Sequence, residues 1–75
     1  MHRIFTAPHT TPGELTLMAT VETWAALLAE LGRDDLARYA EVDRAVKQAA
    51  GEPLRRVTLP DDLARYVLRM AGVSA

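Results

Sequence analysis

The strongest hydrophobic pattern in the chain lies between Thr11 and Leu31. Its apolar residues are spaced by four, three, four and three positions, which places them on one side of a helix. These residues are Leu17, Val21, Trp24, Leu28 and Leu31. The opening TPGE combines a threonine cap, a proline suited to the first turn and a glutamate that can reach back to the cap. The pattern predicts a first helix over residues 12–31, ended by Gly32.

A later start is the alternative for this helix. Gly13 and the threonines are poor helix formers. Thr20 could instead cap a shorter helix that has Glu22 in its first turn. Both alternatives place Trp24 on the buried side.

A second amphipathic helix is predicted over residues 34–50, capped by Asp34 or Asp35. Its apolar side consists of Leu36, Tyr39, Val42, Val46 and Ala49. Two pairs with the acid first and the base four positions later support it, namely Asp34–Arg38 and Asp43–Lys47. The short connection between the first two helices predicts an antiparallel helical hairpin.

A third helix is predicted over residues 60–71, opened by Pro60 and the two aspartates that follow it. Its core stripe is Leu63, Val67 and Met70. Two short β-type runs, residues 2–6 and 54–59, are strand candidates. In the second run Val57 and Leu59 point one way with Arg55, and Arg56 points the other way. The two runs could pair with each other, or residues 54–59 could pair with their own copy in a dimer.

These elements predict a mainly α fold with a minor β element, in a single small domain over residues 1–75. The helical hairpin is joined by a third helix packed across it, with room for one short two-stranded β ribbon. Residues 1–11 form an N-terminal strand and loop segment. The expected core is Leu17, Val21, Trp24, Leu28, Leu31, Leu36, Tyr39, Val46, Leu63, Val67 and Met70.

Composition narrows the classes of function. The chain has 75 residues, no Cys and a net charge of −1. It therefore has no disulfide framework and no thiolate chemistry, and it lacks the basic footprint of a nonspecific nucleic-acid binder. The N-terminus has no apolar signal-peptide core, and no apolar run approaches membrane-spanning length. We expect a soluble cytoplasmic protein that does not associate with a membrane.

Residues with catalytic or metal-binding chemistry are few and scattered. Ser74 is the only serine, there is no Asn, and the sequence has neither a nucleophile paired with a base nor a phosphate cradle. His2 and His9 are seven positions apart without clustered carboxylates, which is not a metal-ligand spacing. We therefore expect no enzymatic activity, no metal and no other cofactor.

One segment has a counterpart in a known family. It reads Arg55-Arg56-Val57-Thr58-Leu59-Pro60-Asp61-Asp62-Leu63. This basic short strand, followed by a helix entered through Leu-Pro-Asp, resembles the opening of a ribbon–helix–helix repressor. In that family two chains pair their strands, and the resulting ribbon reads bases in the major groove. The resemblance implies that Arg55, Val57 or their neighbours would face DNA.

The chain also contains a short internal repeat. The sequence DDLARY at residues 34–39 recurs at residues 61–66, and both copies open a predicted helix. Aspartates at a helix start, with Leu and Tyr in the apolar stripe, explain most of this repetition. The alternative is that both copies present an Asp–Arg–Tyr surface to a partner.

By elimination, the leading hypothesis is a non-enzymatic regulator or inhibitor that binds a protein and acts by occupying its surface. Phage- or mobile-element-encoded inhibitors such as anti-CRISPR proteins, antitoxins and adaptors are proteins of this size. A DNA-binding transcriptional regulator is the alternative, and a purely structural role is the third class. The predicted partner-binding residues are Arg55, Arg56, Arg65 and Arg69. The competing interpretation is an ordinary solvated face in which aspartates of the third helix pair with its arginines.

A chain of this length buries a small share of its surface, and association with a second copy would stabilise it. We therefore expect a homodimer at micromolar concentration. Light scattering across a concentration series measures this directly. A single species of 8.2 kDa at every concentration would contradict the expectation.

Overall fold

The fold is an antiparallel three-stranded sheet with three helices, and the computed structural model describes residues 3–7, 11–49, 51 and 53–72. The elements in chain order are β1 (Phe5–Thr6), β2 (Glu14–Ala19), α1 (Val21–Asp34), α2 (Leu36–Gln48), β3 (Arg55–Pro60) and α3 (Asp61–Met70). The spatial order of the strands is β1-β2-β3. Helix α3 packs on β2 and β3, α2 contacts β3, and α1 packs against α2. The described residues therefore contain three strands, where the sequence pattern predicted at most two.

The first half of the predicted helix over residues 12–31 is wrong, because residues 14–19 form the central strand. Pro12 and Gly13 occupy the middle of a turn in which the Glu14 N–H donates to the Thr11 carbonyl at 2.9 Å. Gly13 has a φ of 85°, which suits the third position of a turn that has proline second. The alternative start is confirmed, since the Thr20 hydroxyl accepts from the Thr23 N–H at 3.2 Å and caps α1.

The predicted helix end at Gly32 is also wrong. Helix α1 continues to Asp34, and a single residue, Asp35, joins it to α2. The Asp35 N–H donates to the Leu31 carbonyl at 2.8 Å, while its carboxylate accepts from the Arg38 N–H at 3.1 Å. Gly32 lies against α2, because a Cβ built there would be 3.3 Å from the Tyr39 ring. The glycine thus permits close packing of the hairpin rather than ending the helix.

Helix α2 confirms the second predicted helix, with Asp35 rather than Asp34 as its cap. The ion pair expected between Asp34 and Arg38 forms instead between Asp35 and Arg38, at 2.7 Å. The pair between Asp43 and Lys47 is confirmed at 2.9 Å. Helix α2 ends at Gln48, two residues before the predicted limit, because Ala49 is extended. The first predicted strand is shorter than expected, since only Phe5–Thr6 form β1, and residue 2 lies outside the described residues.

The strand predicted at residues 54–59 and the third helix are confirmed within one residue at each end. Pro60 ends β3 and occupies the N-cap position of α3. The two predicted strands do not pair with each other, because β2 lies between them. β2 pairs with β3 over six residues, with Leu17 opposite Val57 in the middle.

The core lies between one face of the sheet and the helices. Trp24 is fully buried, and its indole N–H donates to the Arg55 carbonyl at 3.2 Å. Two residues assigned to the core are exposed instead, Val21 at 41% and Leu36 at 72%. Leu28, Tyr39 and Met70 are only partly buried. Buried residues that were not in the predicted core are Ile4, Ala19, Leu27, Val42, Val57, Leu59, Ala64, Leu68 and Ala71.

These assignments predict different responses to truncation of three leucines. Leu27→Ala removes a fully buried side chain and should lower the free energy of unfolding by about 2–5 kcal/mol. Leu28→Ala should cost less, since Leu28 is half-buried. Leu36→Ala is the control and should stay within about 0.5 kcal/mol of wild type. Chemical denaturation measures all three, and an equal loss for Leu36→Ala and Leu27→Ala would contradict the observed core.

Candidate interaction surface

The sheet has one buried face and one open face, because side chains alternate along its strands. Leu17, Ala19, Val57 and Leu59 are fully buried beneath the helices. The side chains between them are exposed or half-buried. We call the open side the outer sheet face, formed by Arg3, Phe5, Glu14, Thr16, Met18, Arg56 and Thr58.

One row of the outer sheet face combines apolar and basic side chains. Phe5 pairs with Met18, and Met18 pairs with Arg56, so the three residues lie side by side across the sheet. Neighbouring strands are about 4.8 Å apart, so all three side chains are within reach of one binding partner. Phe5 is 49% exposed, an unusually large open area for a phenylalanine in a strand.

A second guanidinium group lies at the same end of this face. Ile4 is buried, whereas Arg3 and Phe5 on either side of it are exposed. Arg3 lies just before β1, and this alternation places it on the same side as Phe5, two residues away along the chain. The apolar pair of Phe5 and Met18 therefore has an arginine on two sides, Arg3 and Arg56.

The middle and the far end of the outer sheet face differ from this basic end. The Thr16 and Thr58 hydroxyls lie 2.8 Å apart and hydrogen-bond each other across the strands. Glu14, opposite Pro60, occupies the far end. The face thus runs from a basic, partly apolar end through a threonine pair to a single carboxylate.

The structure separates the four arginines predicted as a partner-binding site. Arg56 lies on the outer sheet face, whereas Arg55 points to the helical side and is half-buried. Arg65 and Arg69 are exposed on α3, which packs on the buried face of the sheet. Arg65 donates to the Asp61 carboxylate at 3.0 Å. The four side chains do not form one surface, and whether any of them binds a partner stays a prediction.

The two copies of the DDLARY sequence are in intramolecular contact. The Arg38 guanidinium, from the first copy, lies 4.3 Å from the centre of the Tyr66 ring, from the second copy. Asp35 holds that guanidinium through a 2.7 Å ion pair. A guanidinium group over an aromatic ring is a favourable cation–π interaction, so the two copies of the repeat link α2 to α3.

Two groups in the described part of the chain have shifted pKa values, and each belongs to an ion pair on a helix. Hydrogen bonds from the Arg38 backbone N–H and then from its guanidinium lower the pKa of Asp35 below its usual value of 3.8. The hydrogen bond to Asp43 raises the pKa of Lys47 above its usual 10.5. Both groups lie at helix surfaces and stabilise helix ends and turns rather than form a reactive site.

Other kinds of site have little support in the described part of the chain. Within residues 3–7, 11–49, 51 and 53–72 there is no group of three or more His, Asp or Glu side chains that could hold a metal ion. None of the helices described is long and apolar enough to cross a membrane. His2, His9 and Ser74 lie outside the described residues.

No protein-family model matches the chain, and neither a curated protein nor a solved structure is significantly similar to it. Inference about its function therefore starts from the surfaces of the molecule.

The titration of Asp35 predicts how stability depends on pH. Its pKa is lowered in the folded protein, so its contribution to stability is present above its usual unfolded value of 3.8 and is lost as the pH falls through the lower folded value. Asp35→Ala should lower the melting temperature at pH 7, and the difference from wild type should shrink below about pH 4. Thermal unfolding followed by circular dichroism tests this.

The control is Asp34→Ala, because Asp34 is exposed at the end of α1 and does not cap α2. It should change the melting temperature little. A difference between wild type and Asp35→Ala that stays constant from pH 7 to pH 3 would contradict the role assigned to the Asp35 carboxylate.

Proposed function

We propose that the protein is a non-enzymatic regulator or inhibitor that binds a protein partner through the outer sheet face and acts by covering part of that partner's surface. The observation that supports this is the row of Phe5, Met18 and Arg56, with Arg3 beside it, on the open side of the sheet. We further propose that it acts in the cytoplasm and needs no cofactor.

The residue types in this row are those enriched at protein interfaces. Aromatic residues, methionine and arginine are over-represented there, and a few well-packed anchors carry most of the binding free energy. Phe5 would be such an anchor, since half of its surface is open to solvent. Met18 can adapt its shape to a partner because its side chain is flexible.

The charges indicate the kind of partner. Arg3 and Arg56 would each meet a carboxylate, and Phe5 and Met18 would contact an apolar side chain between them. An acidic protein surface with an apolar centre fits this description. The proposal covers anti-CRISPR proteins and other phage- or mobile-element-encoded inhibitors, antitoxins and adaptors, and the surface does not favour one of them.

DNA binding is the second candidate function, because β3 enters α3 through Leu59-Pro60-Asp61 and points Arg56 and Thr58 outward. The differences from the ribbon–helix–helix arrangement are clear, however. β3 pairs with β2 of its own chain, and Val57 is fully buried. Glu14 on the same face and the net charge of −1 both oppose binding to phosphates.

A pull-down from the native host with the tagged protein tests the proposal. It compares variants of the outer sheet face with variants of the exposed side of α3. Arg56→Glu and Phe5→Ala should each weaken capture of the partner by at least about tenfold, because they remove a charge pair and an apolar anchor. The matched control is Arg65→Glu with Arg69→Glu, which should bind normally and stay folded, since exposed ion pairs contribute under about 1 kcal/mol each.

Two outcomes would contradict the proposal. In one, the variant with Arg65→Glu and Arg69→Glu no longer binds the partner while Arg56→Glu still binds it. That result would assign the binding site to the arginines of α3. In the other, the protein shifts a DNA duplex at low salt and the shift weakens steeply as salt rises, which would favour the DNA-binding alternative.

A further inference from the structure

Helix α1 has an exposed side that is separate from the outer sheet face. Helix α1 buries Trp24, Leu27 and Leu31 on one side. Its opposite side is exposed and includes an apolar stripe flanked by two charges. We call it the α1 outer face, formed by Val21, Glu22, Ala25, Ala29 and Arg33, with the half-buried Leu28 at its margin. Val21, 41% exposed, is the largest open side chain in the stripe.

The two charged residues of this face are aligned along the helix. Glu22 is in the first turn of α1 and Arg33 is in the last turn. They are separated by eleven positions, about three full turns, so they lie on the same flank about 16 Å apart. The α1 outer face is therefore negative at one end, positive at the other and apolar between.

We propose that α1 packs antiparallel against α1 of a second copy of the chain. A two-fold axis near residues 27 and 28 places Glu22 of each copy beside Arg33 of the other, because residues on the same flank meet in an antiparallel helix pair. The same axis brings the Ala25–Ala29 segments of the two copies together, which permits a helix separation of about 8 Å, while Val21 lies opposite the last turn of the other copy's α1.

Two features select a second copy as the occupant. The charges of this face complement themselves only when it is turned end for end, and a two-fold pair satisfies both ends with two identical ion pairs. The helix has 14 residues, so the contact is about 21 Å long. An interface this small belongs to the class that associates weakly, which fits a dimer that exchanges with monomer at micromolar concentration.

Glu22 and Arg33 also have a reason to be where they are within a single helix. An acid near the N-terminus and a base near the C-terminus both interact favourably with the helix dipole. A test therefore has to separate that effect from pairing between copies. Reversing one charge disturbs both effects, whereas reversing both charges disturbs the dipole twice but restores complementarity between copies.

Sedimentation equilibrium at low ionic strength makes this separation. Glu22→Arg and Arg33→Glu should each weaken dimerisation about tenfold, since two ion pairs become two like-charge contacts. The variant that carries both changes should return to within about threefold of wild type. Glu41→Arg with Arg44→Glu, on the exposed side of α2, is the matched control and should dimerise normally. Melting temperatures establish that each variant is folded.

A second measurement uses the absence of Cys in the natural chain. Ala29→Cys places a thiol near the two-fold axis, and mild oxidation should link two copies through it. Val21 is also exposed on α1, but the thiols of two Val21→Cys chains would be about 20 Å apart and should not link.

Three results would overturn the proposal. The wild type could sediment at the monomer mass of 8.2 kDa at every concentration. The double reversal could associate no better than the single reversals. Val21→Cys could cross-link as readily as Ala29→Cys, which would exclude the antiparallel arrangement.

Discussion

The pairing of β2 with β3 is the contact on which the rest of the structure depends. It runs over six residues and brings together segments that are about forty residues apart in the chain. Each strand leads almost directly into a helix, through Thr20 for α1 and through Pro60 for α3. The register therefore fixes where both helices start. At the far end, the Asp61 N–H donates to the Gly13 carbonyl at 3.0 Å and attaches the first residue of α3 to the turn before β2.

The sequence predicts four of the elements because their signals are local. These are α1 from its capped start, α2, α3 and strand β3. Thr20 and Asp35 cap helices with apolar stripes, and Val57 and Leu59 alternate with polar residues. Strand β2 could not be assigned in the same way. Leu17 fits a helical spacing with Val21 and Trp24, and it fits an alternating spacing with Leu15 and Ala19 equally well. The partner strand decides between the two, and it comes much later in the chain.

The limits of sequence inference at the candidate site have the same cause. The outward direction of Arg56 follows from alternation along β3, and the sequence predicted it. Its separation from Arg65 and Arg69 depends on which face of the sheet α3 covers, and no local pattern carries that information. Phe5 and Met18 were missed as neighbours because their pairing requires β2 to be a strand. Leu36 looked like a core residue, yet it lies at the start of α2 beyond the packed part of the hairpin.

The helical hairpin lies between β2 and β3 along the chain, and this order has a consequence for folding. Closing β2 on β3 requires the ends of the segment over residues 20–54 to meet, and the entropy lost in closing a loop grows with its length. Helices α1 and α2 are joined by one residue and contact each other locally, so they can form before any strand pairs. Once formed, the packed helix pair is more compact than an unfolded chain of the same length, which lowers the cost of closing the loop that remains. We therefore expect Asp35, the only residue between the helices, to influence how fast the distant sheet assembles as well as how α2 begins.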